Sequence, residues 1–428
     1  MLVKAENKIS CINFFEKSQK PRVFHLPPSR DFSLSFVNGI LSRFQHSKIK
    51  EKPHLLARLK IYTNTNRSCR RIETVFKDLG LVILPQINQI ENLSNLMPQV
   101  PLEKMESLNS LYKAQIISRL EKFVAIEKFT NDYLIEKREL MVENFSFNLA
   151  DSLVNLLDEM NTSYIPLARL RELDADEFSE HWQASLEVLR TILFKYQEWA
   201  KEYHILDSNL KYISEALAII KHWTKHPYLD PIIIVGSTGS RYATAKLMNA
   251  VSNLPQGAVV LPGLDPFLNA RAWSELTPDH PQYGFISLAK KWGLEGNQRN
   301  LLLKSPSWLG KSGETNTHRM HFFSLVMQPA KVTDEWINEL NKSSLDLKEA
   351  LSDVTLIEAE NSRQEAAAIA VSIRESVENE RSVALITPDQ TLCRRVTAEL
   401  QRWCIIPDNS LGGSLAFSDL GIITRTNR

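Results

Sequence analysis

The stretch Pro231-Ile232-Ile233-Ile234-Val235-Gly236-Ser237-Thr238-Gly239-Ser240 decides the reading of this chain. Its first five residues are apolar, and that run has the length of a strand buried on both faces. Gly236 and Gly239 permit a tight turn, and residues 243–252 then read as a helix. A buried strand running through a glycine turn into a helix is one unit of a parallel α/β sheet.

The same rhythm extends in both directions. Residues 258–261 read as the next strand, leading into Pro262-Gly263-Leu264-Asp265. Upstream, residues 22–26 read as a strand closed by Pro27 and Pro28, and residues 34–44 as a helix. The apolar run 55–62 ends in Thr63, Asn64 and Thr65, and Cys69, Ile72, Val75, Phe76 and Leu79 then follow at helical spacing. Residues 81–84 form another apolar run of strand length. The expectation is one parallel sheet built from strands 22–26, 59–62, 81–84, 232–235 and 258–261.

Between residues 102 and 223 the character changes. Glycine is absent, Pro166 is the one proline, and long helical patterns such as Trp182, Leu186, Leu189, Leu193 and Tyr196 dominate. This block reads as a helical insertion, with Trp182, Trp199 and Trp223 as packing residues. Downstream, residues 334–351, 363–378 and 392–403 read as helices, and 354–358 and 383–386 as strands. Four segments result: residues 1–101 and 226–330 as two parts of one α/β domain, 102–225 as the insertion, and 331–428 as a second α/β domain. Residues 408–428 are rich in Gly, Ser, Asn and Thr and close no strand–helix unit, so the expectation is a truncated chain.

Charge and cysteine content narrow the chemistry. The formal net charge of +1 supplies no long-range attraction to phosphate, so nucleic-acid binding requires local basic clusters. Cys11, Cys69, Cys393 and Cys404 lie far apart, as reduced thiols rather than a disulfide framework or zinc site. The first twenty residues lack the apolar core of a secretory signal, and no apolar run is long enough to span a bilayer. The expectation is a cytoplasmic protein without membrane contact.

Two loops invite a phosphate-binding reading. A phosphate loop needs glycines for backbone approach, a lysine, and a Ser/Thr for Mg²⁺. Leu26-Pro27-Pro28-Ser29-Arg30-Asp31 has no glycine and no Lys-Ser/Thr ending, and its prolines remove two N–H donors. Residues 236–240 also lack the lysine; they read as a strand-to-helix turn, with Ser237, Thr238 and Gly239 as candidate contacts to DNA or a neighbouring domain. Gly236-Ser237-Thr238-Gly239 is one residue short of a nucleophile elbow. No group of carboxylates suggests a two-metal nuclease.

Arg67, Arg70 and Arg71 follow a predicted strand at a helix start, with Asn64 just before them. They are candidate phosphate contacts, against the alternative of a solvated helix face. Arg394, Arg395 and Arg402 form a second such cluster. His280-Pro281-Gln282-Tyr283-Gly284 reads as a structured loop whose residues pack rather than bind.

Several of these blocks together resemble the AddB family of α-proteobacterial type. They are residues 232–240 with Ala243-Thr244-Ala245 and Leu247-Met248; residues 254–265; residues 280–284; Met327-Gln328-Pro329-Ala330 with Thr333 and Trp336; residues 365–370 with Arg374; and residues 384–389. The resemblance covers roughly residues 22–407 and stops short of the family's nuclease domain. It implies a superfamily-1 helicase-like, RecA-type parallel sheet with a helical insertion and the start of a second RecA-like domain. It further implies a DNA-binding, motor-degenerate subunit of a helicase–nuclease that resects double-strand breaks for homologous recombination. The implied partners are an AddA-like helicase–nuclease subunit and single-stranded DNA or a duplex end. The family's iron–sulfur cluster and Mg belong to the nuclease domain, so no cofactor is expected in this fragment. The alternatives are an active ATP-dependent helicase subunit and the remnant of a decayed gene.

Overall fold

The computed structural model describes residues 14–28, 31–44, 53–96, 114–137, 145–173, 180–310, 317–342, 345–409 and Gly412. The chain divides into two compact units, Met1–Ala350 and Leu351–Arg428.

The first unit runs β1 (Val23–Leu26), α1 (Phe32–Phe44), β2 (Lys60–Thr63), α2 (Asn66–Asp78), β3 (Gln86–Gln89), β4 (Gln115–Ile117) and α3 (Arg119–Glu136). It continues through α4 (Phe145–Ser163), α5 (Glu180–Glu202), β5 (Ile205–Asp207), α6 (Ser208–Lys225), β6 (Ile232–Val235) and α7 (Tyr242–Asn253). β7 (Gly257–Pro262), α8 (Tyr283–Lys291) and α9 (Thr317–Val326) follow, with short helical turns between them. The main sheet has five strands in the order β1-β7-β6-β2-β3, and every pairing in it is parallel. Residues 306–308 run beside the outer edge of β1: His25 N donates to Pro306 O at 3.0 Å, and Trp308 N donates to His25 O at 2.8 Å.

Alternation along the strands sends side chains to two cores. Ile232, Ile234, Val259 and Leu261 pack with residues of α6, α7 and α8 on one face. Ile233, Val235, Ala258 and Val260 pack with residues of α1 and α2 and with Trp308 on the other. The sheet is therefore the middle of three layers, which explains why its central strands read as continuous apolar runs.

Four of the five predicted strands are present at nearly the predicted positions. The fifth is displaced. Residues 81–84 form no strand, and Val82 is 94% exposed. The chain there is occupied in ending α2: Gly80 takes φ 79°, and Leu81 N reaches back to Phe76 O at 3.2 Å. This is a left-handed helix stop. The edge strand begins later, as the mostly polar Gln86–Gln89.

The helical stretch divides in two. α3, α4 and α5 share their own core of residues such as Ile126, Tyr133, Val154, Leu157 and Ile192. The entering and leaving chains are tied by the parallel pair β4–β5. Lys122, on α3, is buried and ion-paired with both Asp158 and Asp207. Asp207 also caps α6 through Asn209 N at 2.8 Å. By contrast, α6 packs on the sheet through Ile213, Ala216, Ile219 and Trp223.

The predicted helix 334–351 is broken. A 3₁₀ segment Ala330–Glu335 leads into Trp336–Lys342, and Asp346 starts a separate turn by accepting from Lys348 N at 2.8 Å.

The second unit contains α10 (Ser362–Glu378) and α11 (Gln390–Gln401), packed through Ala366, Ala370, Val396 and Leu400. The predicted strands 354–358 and 383–386 pair with nothing among the described residues. Leu356 is 84% and Ile386 94% exposed. Strand propensity without a paired neighbour does not make a ladder. Of the Gly-, Ser-, Asn- and Thr-rich stretch 408–428, residues 410–411 and 413–428 lie outside the described residues.

Candidate nucleic-acid interface

Because β2 and β6 are parallel neighbours, the loops that follow them emerge side by side at the carboxyl edge. A methyl group added at Gly236 would lie 3.8 Å from Asn64 Oδ1 and 3.4 Å from the Phe32 ring. Asn64, Arg67, Arg70, Arg71, Ser237, Thr238 and Gly239 therefore belong to one edge.

Their surroundings differ. α2 is capped by Thr65, whose hydroxyl accepts from Ser68 N at 3.1 Å. Asn64, Arg67 and Arg70 are exposed. Arg71 is also exposed, but its guanidinium donates to Asp31 at 2.9 Å, on the loop after β1. The Asp31 carboxyl is held below its ordinary range by Leu34 N–H first, with burial opposing and Arg71 adding to the lowering. The first turn of α2 carries no acidic residue, and neither does that of α7. Arg241 stands at the N-cap of α7 without a side-chain cap and pairs with Glu91, beyond β3. Cations at helix N-termini oppose the helix dipole, which favours anions there. Two helices of one sheet edge share this arrangement.

The turn after β6 is a brace rather than an open cradle. Ser237 and Gly239 are buried, Thr238 half-buried. Gly239 N donates to Ser237 Oγ at 3.2 Å, and Gly236 N donates to Val260 O at 3.2 Å. The Lys291 ammonium donates to Gly239 O at 3.1 Å and also to Ser240 O. Burial lowers the Lys291 pKa. Gly239 has φ 63°, and a Cβ there would meet Leu288 Cδ1 at 2.5 Å. Ser237 and Gly239 thus shape the edge, while Asn64, Arg67, Arg70 and Arg71 are exposed on it. Lys291 has no signature in the sequence, because its partners are backbone carbonyls of a distant turn and leave no local pattern.

A cavity of about 410 Å³ lies at the carboxyl ends of β1 and β7, lined by Pro28, Gly263, Asp265, Met320 and Phe323 among others. None of the seven predicted residues lines it. Its walls are mainly apolar, with Asp265, His280 and Arg319 among the polar side chains that line it. Gln282 braces the rim, donating to Gly263 O at 2.9 Å and accepting from Asp265 N at 3.0 Å. His280 Nδ1 accepts from Gln282 N at 3.1 Å, so Nε2 carries the proton donated to Met327 O at 2.7 Å. Residues 280–282 are thus fixed by hydrogen bonds at the rim of this cavity, which all three line.

In the second unit, Arg402 pairs with Glu399 at 2.8 Å, and Arg394 donates to its own helix at Gln390 O. Among the described residues there is no group of three His, Cys, Asp or Glu placed to hold a metal, and no helix is long and apolar enough to cross a membrane. No protein-family model matches the chain, and no curated protein matches it significantly.

Proposed function

We propose that the first unit binds single-stranded DNA along the carboxyl edge of its sheet, without hydrolysing ATP. The observation that carries this reading is the pair of helix starts at one sheet edge, α2 and α7, each bearing arginine where the dipole favours an anion. Arg67 and Arg70 supply exposed charge, Asn64 an uncharged donor, and the braced 236–240 turn holds the edge in shape. The parallel order, with β7 between β6 and β1, is consistent with a RecA-type sheet of the superfamily-1 kind, and the bundle α3–α5 with its helical insertion. On that basis, and on the AddB-like blocks, the biological setting we infer is a motor-degenerate subunit acting in the cytoplasm. It would work beside an AddA-like helicase–nuclease in resecting double-strand breaks. Pro27 and Pro28, in a loop without glycine or a Lys-Ser/Thr ending, support the absence of a phosphate loop.

Binding of a labelled single-stranded oligonucleotide, measured with and without ATP and Mg²⁺, tests the proposal. Nucleotide-independent binding and no DNA-stimulated phosphate release are expected. DNA-stimulated hydrolysis that survives purification and is lost on substituting Pro27 and Pro28 would instead establish a working motor.

A further inference from the structure

We infer that the exposed ring of Tyr164, stacked on Tyr242, is a platform for an unpaired nucleobase of the bound strand. The inference rests on the single-stranded DNA reading above and gives that site a base-contacting component.

Tyr242 is the first residue of α7, directly after the turn that closes the proposed edge. Its ring stacks on Tyr164 with centroids 4.9 Å apart and planes at 26°. The Lys246 ammonium lies 5.5 Å from the Tyr242 ring centroid and donates to Lys291 O at 3.0 Å. That interaction fixes the inner member of the pair. Tyr164, the outer member, is 50% exposed.

The backbone holding Tyr164 is costly. It follows the last residue of α4 with φ 58°, the left-handed conformation usually given to glycine at a helix stop. Ile165 N closes the stop onto Met160 O at 2.8 Å. His204, Glu380 and Cys404 take the same conformation just past other helices, so the stop itself is ordinary and what distinguishes this one is the aromatic ring it positions. The helix stop sets an aromatic ring where glycine would be easier, stacked on Tyr242, half open to solvent and beside a basic edge. Aromatic rings flanked by cations are how single-stranded nucleic acid is held without sequence preference.

The experiment compares an oligothymidylate with an abasic strand of equal length and phosphate number, by fluorescence anisotropy at fixed salt. The wild-type protein should bind the base-bearing strand about tenfold tighter, the order expected for stacking one base. Tyr164→Phe should keep that ratio. Tyr164→Gly should lose it while melting no lower than wild type, because glycine suits φ 58°. Arg70→Ala with Arg71→Ala should weaken both strands alike and leave the ratio intact. Equal wild-type affinity for the two strands, or an unchanged ratio in Tyr164→Gly, overturns the platform alone. Failure of the wild-type protein to bind either strand overturns the DNA reading with it.

Discussion

At the scale of single residues, the arginines at the start of α2 are not equivalent. Arg71 is engaged by Asp31, whereas Arg70 has no ion partner among the described residues. Arg70→Ala is therefore expected to weaken single-stranded DNA binding more than Arg71→Ala at low salt, measured by anisotropy titration of each folded variant. Gly239→Ala tests the brace. It places a Cβ 2.5 Å from Leu288 Cδ1 at φ 63°, and a loss of about 1–3 kcal/mol in chemical denaturation is expected. An unchanged midpoint would mean that the turn relaxes freely. The arginines were legible in the sequence because a cation cluster after a strand has a local signature. The burial of Ser237 and Gly239 was not, because it depends on Leu288 and Lys291 of a distant helix.

At the scale of elements, the insertion is pinned by one buried cation. Lys122 on α3 meets Asp158 on α4 and Asp207 at the head of α6. Lys122→Met leaves two carboxylates without their cation and should cost about 3–5 kcal/mol in denaturant unfolding. Adding Asp207→Asn should restore part of the loss, since the amide can still cap α6; no recovery would put the damage in packing rather than charge. On β1, His25 Nδ1 lies 2.6 Å from Ser305 O and must carry the proton donated there. Burial lowers the His25 pKa below its ordinary 6.5, the hydrogen bond opposing. The unfolded chain then binds more protons than the folded one just below that pH. The stability that His25 contributes is present above pH 6.5 and is lost as pH falls toward the lowered folded value. His25→Asn, which keeps a donor but cannot titrate, should flatten the stability profile below pH 6.5; an unchanged profile would assign the acid sensitivity elsewhere. Strands β6 and β7 were legible as apolar runs, and β1 and β2 as mostly apolar stretches that ended in turn residues. The edge strand β3 was not, because its polar sequence follows a more apolar helix stop. In the second unit, runs 354–358 and 383–386 have strand composition without a paired partner, which no local pattern reveals.

At the scale of the molecule, net charge is nearly balanced, so any nucleic-acid affinity must come from where the charges sit. The parallel topology sets the β2 and β6 loops beside each other, and the proposed edge draws on the arginines at the starts of α2 and α7. The layered α/β class was readable from the alternation of buried strands and helices. The convergence of Asn64 with the 236–240 turn followed only from strand order, which sequence periodicity does not encode. The most direct measurement is single-stranded DNA affinity as a function of salt for the wild-type protein and for Arg70→Ala with Arg71→Ala. The double variant is expected to bind more weakly at low salt, with a log–log salt slope that falls by roughly 0.7 for each phosphate it no longer neutralises. A folded double variant with unchanged affinity and unchanged slope would contradict this expectation and move the DNA site off this edge.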